Sequence, residues 1–227
     1  MFSLLLDGAV AQAEAANEVS MSLWQLCLEG GWLMIPIVAL LLISIFIFIE
    51  RYIVVSRVTE IDPTFMSRIR DYVHDGEIES ALNLCKRTDS PYARMIAKGL
   101  TRLGRPDNDI LVAIENVGNL EMAELNKGLP WLATTASGAP MLGFLGTVIG
   151  MVQAFYNIAS SGSSADISTF SGGIYTALVT TVAGLIVGVV ALFAYNILVS
   201  RINNVMSSLE AKTVDFMDIV NETAERN

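Results

Sequence analysis

Four of the threonines that stand in stretches without charge bear on chemistry: Thr147, Thr176, Thr180 and Thr181. Thr147 falls between Gly128 and Ala165, and Thr176, Thr180 and Thr181 fall between Ile167 and Ser200; neither interval holds an Asp, Glu, Lys, Arg or His. A hydroxyl donates and accepts hydrogen bonds yet stays neutral at physiological pH. It can therefore surround a titrating group without being the group that takes the proton. One isolated threonine says little, because its hydroxyl commonly bonds a carbonyl in its own helix. Here Thr176, Thr180 and Gly184 are spaced four apart and share one helical face, with Thr181 beside them, which makes a narrow polar stripe. Glycines accompany it: Gly143, Gly146 and Gly150 in the first interval, Gly184 and Gly188 in the second. Gly146 with Gly150, and Gly184 with Gly188, have the GxxxG spacing that lets helix backbones approach closely, so these glycines read as helix-packing residues.

What is missing narrows the chemistry. An ion or proton path through a bilayer ordinarily contains an ionisable side chain, and the uncharged intervals have none. His74, the single histidine, lies outside them and reads as a surface residue. If protons move through these helices, the titrating carboxylate belongs to another polypeptide and the threonines form its surroundings. No phosphate loop, metal cluster or nucleophile and base arrangement is present, so no enzyme activity, cofactor or metal is expected. Nucleic-acid binding is disfavoured as well, since Glu50 to Lys127 holds 13 acidic residues against 11 basic ones.

The elements that position these residues follow from hydropathy. The chain has 227 residues, 53% hydrophobic and 16% charged, with mean hydropathy +0.53. A third uncharged interval, Gly30 to Ile49, joins the two above, and each meets the roughly 20 residues a helix needs to cross a bilayer. The reading is an all-α membrane protein with three transmembrane helices, over residues 30–54, 128–160 and 171–200. Of 14 Lys and Arg, eleven fall between Arg51 and Lys127 and three (Arg201, Lys212, Arg226) follow the last span. The positive-inside rule then makes 55–127 and 201–227 cytoplasmic, and 1–29 and the turn 161–170 external, an N-out/C-in topology. The N-terminal segment lacks the basic start and long apolar core of a cleaved signal and is expected to lie on the outer membrane face. Cys27 and Cys85 fall on opposite sides of the membrane in this topology, so both read as packing residues.

The cytoplasmic segment reads as short helices. Asp62 with Pro63 signals a helix start, Gly76 separates that helix from one over Glu77–Arg87, and Ser90 before Pro91 opens a third that "GRPDND" ends. From Asp109 the spacing of Ile110, Ile114, Val117, Glu121, Glu124 and Leu125 predicts one helix running through Lys127 to about Ala159, near 75 Å long at 1.5 Å per residue. Pro130 and Pro140 are expected to bend it. After the third span, Ile202, Val205, Leu209, Phe216, Ile219 and Val220 recur on one side, so a cytoplasmic helix continues that span and packs on its apolar face.

Several segments together carry a resemblance: "GGWLMIPI" and "IERY" in the first span, "SPYARMIAKGL" in the cytoplasmic segment, "APMLGFLGTVIGM" in the second span and "TTVAGLIVG…YN" in the third. With them the chain resembles the MotA/TolQ/ExbB proton-channel family, most closely its three-span ExbB and TolQ members. The resemblance implies a homopentamer in an inner membrane of a Gram-negative bacterium. Spans two and three would line a pore holding two copies of a single-span ExbD or TolR-like partner, each bringing one membrane Asp. It further implies a motor driven by proton motive force, serving a TonB-like protein and outer-membrane transport, or else a TolQ-like envelope role. The family's pore threonines fall on Thr147 and Thr181, with Thr180 as an adjacent hydroxyl. Two positions depart: Thr176 stands where many relatives carry Glu, and Val190 where they carry Pro. A rival of another class, a non-conducting membrane scaffold, draws on the glycines alone.

Overall fold

A computed structural model of the chain describes residues 30–59, 64–161 and 167–226. Among these residues the structure is helical throughout, without strands: α1 (Met34–Thr59), α2 (Phe65–His74), α3 (Ile78–Arg87), α4 (Pro91–Leu100), α5 (Asp107–Leu125), α6 (Leu129–Ser161) and α7 (Ile167–Arg226). The N-terminal segment with Cys27, the Asp62–Pro63 start signal and residues 162–166 of the expected turn 161–170 lie outside the described residues, while Ser161 ends α6 and residues 167–170 begin α7. Three helices carry segments long and apolar enough to cross a membrane, Met34–Val58, Leu129–Ser160 and Ser171–Thr223. The chain is thus an all-α membrane protein with three spanning helices.

The chain divides into two compact units, and α1, α6 and α7 contribute residues to both. Within the described residues, the first unit holds the start of α1, α6 from Thr134 and α7 to Ala191. Met34 and Ile37 pack there with Ala139 and Val187. Large apolar side chains cover its outer surface, among them Phe144 and Val152 on α6 and Leu178 and Val182 on α7, all more than half exposed. Such a surface is stable only against lipid or other apolar helices.

The second unit holds α2 to α5, the remainder of α1 and the long tail of α7. Apolar residues one turn apart point inward from each short helix: Phe65, Ile69 and Val73 from α2, Ala81 and Cys85 from α3, Ile110 and Ile114 from α5. The α7 tail supplies Ile202, Val205, Leu209, Phe216, Ile219 and Val220, all buried, as their spacing predicts. Helix starts and stops have local causes. Ser90 Oγ accepts from Ala93 N and Pro91 fills the first turn of α4, where its missing N–H costs nothing. Gly76 and Gly104 adopt positive φ where α2 and α4 give way to the next helix.

The single long helix expected from Asp109 to Ala159 is not formed. Helix α5 stops at Leu125 and α6 starts at Leu129, with Gly128 between them at φ +84°. Two side-chain donors add to the backbone bonds at the end of α5: Asn126 Nδ2 donates to Met122 O (2.8 Å), which also accepts Asn126 N, and Arg51 Nη1 donates to Glu124 O (3.0 Å), which also accepts Lys127 N. A helix C-terminus presents unsatisfied carbonyls and a partial negative charge, and a guanidinium suits both. The bend expected at Pro130 is corrected with it. Pro130 lies in the first turn of α6, where no intrahelical bond is lost, while Pro140 lies inside the helix.

Candidate functional site

The threonines and glycines meet along the contact of α6 with α7 in the first unit. The register is antiparallel, each step up α6 meeting a step down α7. A Cβ added at Gly150 would stand 2.7 Å from Ala177 Cβ, at Gly143 2.9 Å from Thr180 O, at Gly184 2.5 Å from Ala139 O, and at Gly188 2.5 Å from Pro140 Cγ. At Gly146 it would collide with the Thr180 hydroxyl. Every one of these distances is below normal contact, so the five glycines are what allows the two backbones to touch. Gly173 extends the seam, with Ala154 Cβ 3.1 Å from its missing Cβ. It was absent from the residues singled out above, although Gly173 and Ala177 repeat the four-residue spacing of Gly184 and Gly188.

The hydroxyls are placed differently from one another. Thr180 is 2% exposed, and its Oγ1 donates to Ala177 O at 2.8 Å, one turn back in α7. It is enclosed where α7 crosses Gly146. Thr176 sits nearer the start of α1, its Cγ2 3.9 Å from where a Cβ at Gly31 would stand. Thr181 is half-buried and crosses the seam, donating to Gly143 O at 2.8 Å. Thr147, also half-buried, donates to Phe144 O at 2.6 Å. Gly143 and Thr147 are one turn apart on α6, so the carbonyl that Thr181 engages lies about 6 Å along the axis from the Thr147 position. The structure thus sets Thr181 against α6 about one turn from Thr147, with Thr180 enclosed at Gly146 and Thr176 one turn further along α7.

These bonds decide what the hydroxyls still offer. A carbonyl has no hydrogen to give, so in each contact the hydrogen is the threonine's. The remaining capacity of Thr147 and Thr181 is oxygen lone pairs. Such oxygens accept a hydrogen bond from a protonated carboxyl or a hydronium ion and have none to donate to a carboxylate. No Asp, Glu, Lys, Arg or His lies among the described residues of this unit.

In the second unit the charged side chains fasten helices together. Arg201 Nη2 donates to Tyr52 Oη (2.8 Å) while its guanidinium stacks 4.2 Å from the Tyr52 ring centre, joining α7 to α1. Arg94 bridges Glu121 (2.6 Å) and Asp89 (2.8 Å), and the hydrogen bond to Glu121, more than its charge, raises the Arg94 pKa further. Lys127 bonds Glu124 and thereby lowers the Glu124 carboxyl pKa. Burial pushes the Cys85 thiol up to about 11. Its place in the core agrees with its reading as a packing residue.

Comparison with known proteins adds an independent line. The sequence profile of the MotA/TolQ/ExbB proton channel family matches residues 87–211. An ExbB-like biopolymer transport protein of Synechocystis sp. is 31% identical over 206 residues, covering 87% of this chain and 76% of that protein. An ExbB homolog of Methanothermobacter thermautotrophicus is 31% identical over 69% of this chain, and the match spans about half, 54%, of that protein's length. The Tol-Pal system protein TolQ of Haemophilus influenzae is 39% identical over 85 residues, 37% of either chain.

Proposed function

Because the chain belongs to the MotA/TolQ/ExbB proton channel family and is ExbB-like, we propose that it is a channel subunit of a proton-driven motor, non-enzymatic, in an energised inner membrane of a Gram-negative bacterium. Its threonine-lined helices surround a carboxyl group that a single-span, ExbD-like partner contributes. What supports this reading is that Thr147 and Thr181 lie about one turn apart along a helix pair whose described residues in the first unit hold no Asp, Glu, Lys, Arg or His. With both hydroxyl hydrogens committed to backbone carbonyls, the free lone pairs favour the partner's carboxyl in its protonated form. The acid is therefore held neutral while it faces the threonines and releases its proton where water replaces them. One charge moved across 100 mV yields about 2.3 kcal/mol, so work at a distance draws on several protons per stroke.

On this reading several copies of the chain, five by family resemblance, enclose two partner copies, and the motion they gain is passed to a TonB-like protein for outer-membrane transport. Thr180 acts in packing and Thr176 does not replace the carboxylate that relatives hold there. A TolQ-like envelope role uses the same geometry, and the similarity to TolQ supports it. The non-conducting scaffold has an observation of its own, the five glycines at the seam.

Proton flux separates them. Liposomes containing the complex with the partner encoded beside this gene are expected to take up protons under an imposed potential. Thr181→Val is expected to lower that flux about tenfold or more with assembly intact, and Thr181→Ser to restore it. Unchanged flux in Thr181→Val removes the residue from the path, and no flux in assembled wild type favours the scaffold.

A further inference from the structure

Two grooves flank α5 in the second unit. One, of about 560 Å³, lies between α5 and the α7 tail, where Leu111, Glu115, Met206, Glu210 and Val214 line it. The other, of about 650 Å³, lies between α4 and α5, where Lys98, Arg102, Val112, Asn116 and Leu120 line it, with Asp109 also present. Their charges are opposite in balance, two acids against two bases and one acid. Lys98, Arg102, Glu115 and Glu210 have no ion-pair partner among the described residues, whereas Arg94, Lys127 and Lys212 are paired inside the chain. Between the unpaired charges sit exposed apolar side chains: Val214 (60%) on the acidic side, Val112 (45%) and Leu120 (71%) on the basic side. Leu120 and Val214 lie outside the charge-free intervals, where lipid does not account for their exposure.

We infer that these faces meet between copies, the acidic groove of α5 and α7 on one copy receiving the basic face of α4 and α5 on the next. Each face complements the other in charge and carries the apolar surface that an interface core requires, and the two belong to the same polypeptide. Because the faces differ, the contact is head-to-tail. At 3.6 residues per turn the two residue sets on α5 are centred roughly 130° apart. Such a contact closes a ring where the rotation from copy to copy returns to the first without a rise, and extends a filament where it does not. Val112 and Leu120 against Leu111, Met206 and Val214 supply the attraction, and the four charges set the register and exclude acidic-to-acidic pairing.

The inference rests on the reading of the chain as a homo-oligomer, and its test tells the two apart. Full-length protein carrying both Leu120→Cys and Val214→Cys is treated in membranes with a short bis-maleimide, beside each single variant, and the mass of the solubilised complex is measured in parallel. The expected result is a ladder of multimers for the double variant only. Lys98→Glu with Arg102→Glu is expected to reduce the ladder about tenfold, and adding Glu115→Lys with Glu210→Lys to restore it. A multi-copy mass without a ladder overturns this interface and leaves the homo-oligomer standing. A monomeric mass overturns both. Dimers from a single variant mean a like-to-like contact, and cross-links to a different polypeptide mean another occupant; either overturns the inference.

Discussion

Thr180 and Thr181 are neighbours in sequence, yet a helix turns 100° between them, and the consequence is chemical. Thr180 turns into the seam over Gly146, while Thr181 reaches across to the Gly143 carbonyl. Thr180→Val exchanges a hydroxyl that is enclosed at the seam, 2% exposed, and out of reach of a partner's carboxyl, so it is expected to leave proton flux near wild type. Thr147→Val removes a half-buried acceptor and is expected to lower flux as Thr181→Val does; equal flux losses at positions 147 and 180 contradict this division. Outside the spans, Cys85 is testable by pH. Its thiol is neutral up to about 11 in the folded chain against 9.0 for a free thiol. Below pH 9 both states are protonated and nothing is lost; between 9 and 11 only the unfolded thiol ionises, so stability falls as pH rises through that window. Thermal unfolding is expected to move down between pH 8 and pH 10, by less in Cys85→Ala, and iodoacetamide is expected to label Cys85 at pH 8 only after unfolding.

Among the elements, the α6–α7 pair has the least room for change. Gly146→Val places a branched side chain on the Thr180 hydroxyl, and overpacking of this kind costs about 1–3 kcal/mol. The expected readout is loss of the solubilised complex at a temperature that wild type survives, with Gly138→Ala, where a Cβ meets nothing within 4 Å, as the neutral control. The α5–α6 junction depends on a different glycine property. Gly128 needs positive φ and has Ile47 Cγ2 3.1 Å from its missing Cβ, so Gly128→Val is expected to cost about 1–3 kcal/mol and to raise protease sensitivity between α5 and α6. Helical spacing on both sides of Lys127 hid this break. A periodic pattern reports which face is apolar, and it continues across an interruption whose partner, Arg51, is 73 residues away in sequence. Helix α7 shows the converse: it runs unbroken from Ile167 to Arg226 through Val190, the position at which the family resemblance implies Pro in many relatives.

For the whole molecule, the proposed topology places the N-terminus and the turn after Ser161 outside and both basic segments inside. Alkaline phosphatase, active only after export, is expected to be active when fused within the turn at 162–166 and inactive when fused after Lys127 or Asn227; the reverse pattern overturns the orientation. The three spans, the all-α class and the packing role of the glycines were legible in the sequence because each depends on local quantities: run length without charge, residue size and spacing along one helix. The absence of Asp, Glu, Lys, Arg and His from residues 128–160 and 171–200 was legible for the same reason. Tertiary structure alone decided which hydroxyl faces inward, that Thr181 bonds across to Gly143, that Gly128 ends one helix and begins another, and that α5 carries two grooves of opposite charge. Those features depend on what stands opposite each residue. Helical periodicity fixes the angle of a side chain about its own axis, and only packing brings to that angle the carbonyl, guanidinium or neighbouring helix that gives it a role.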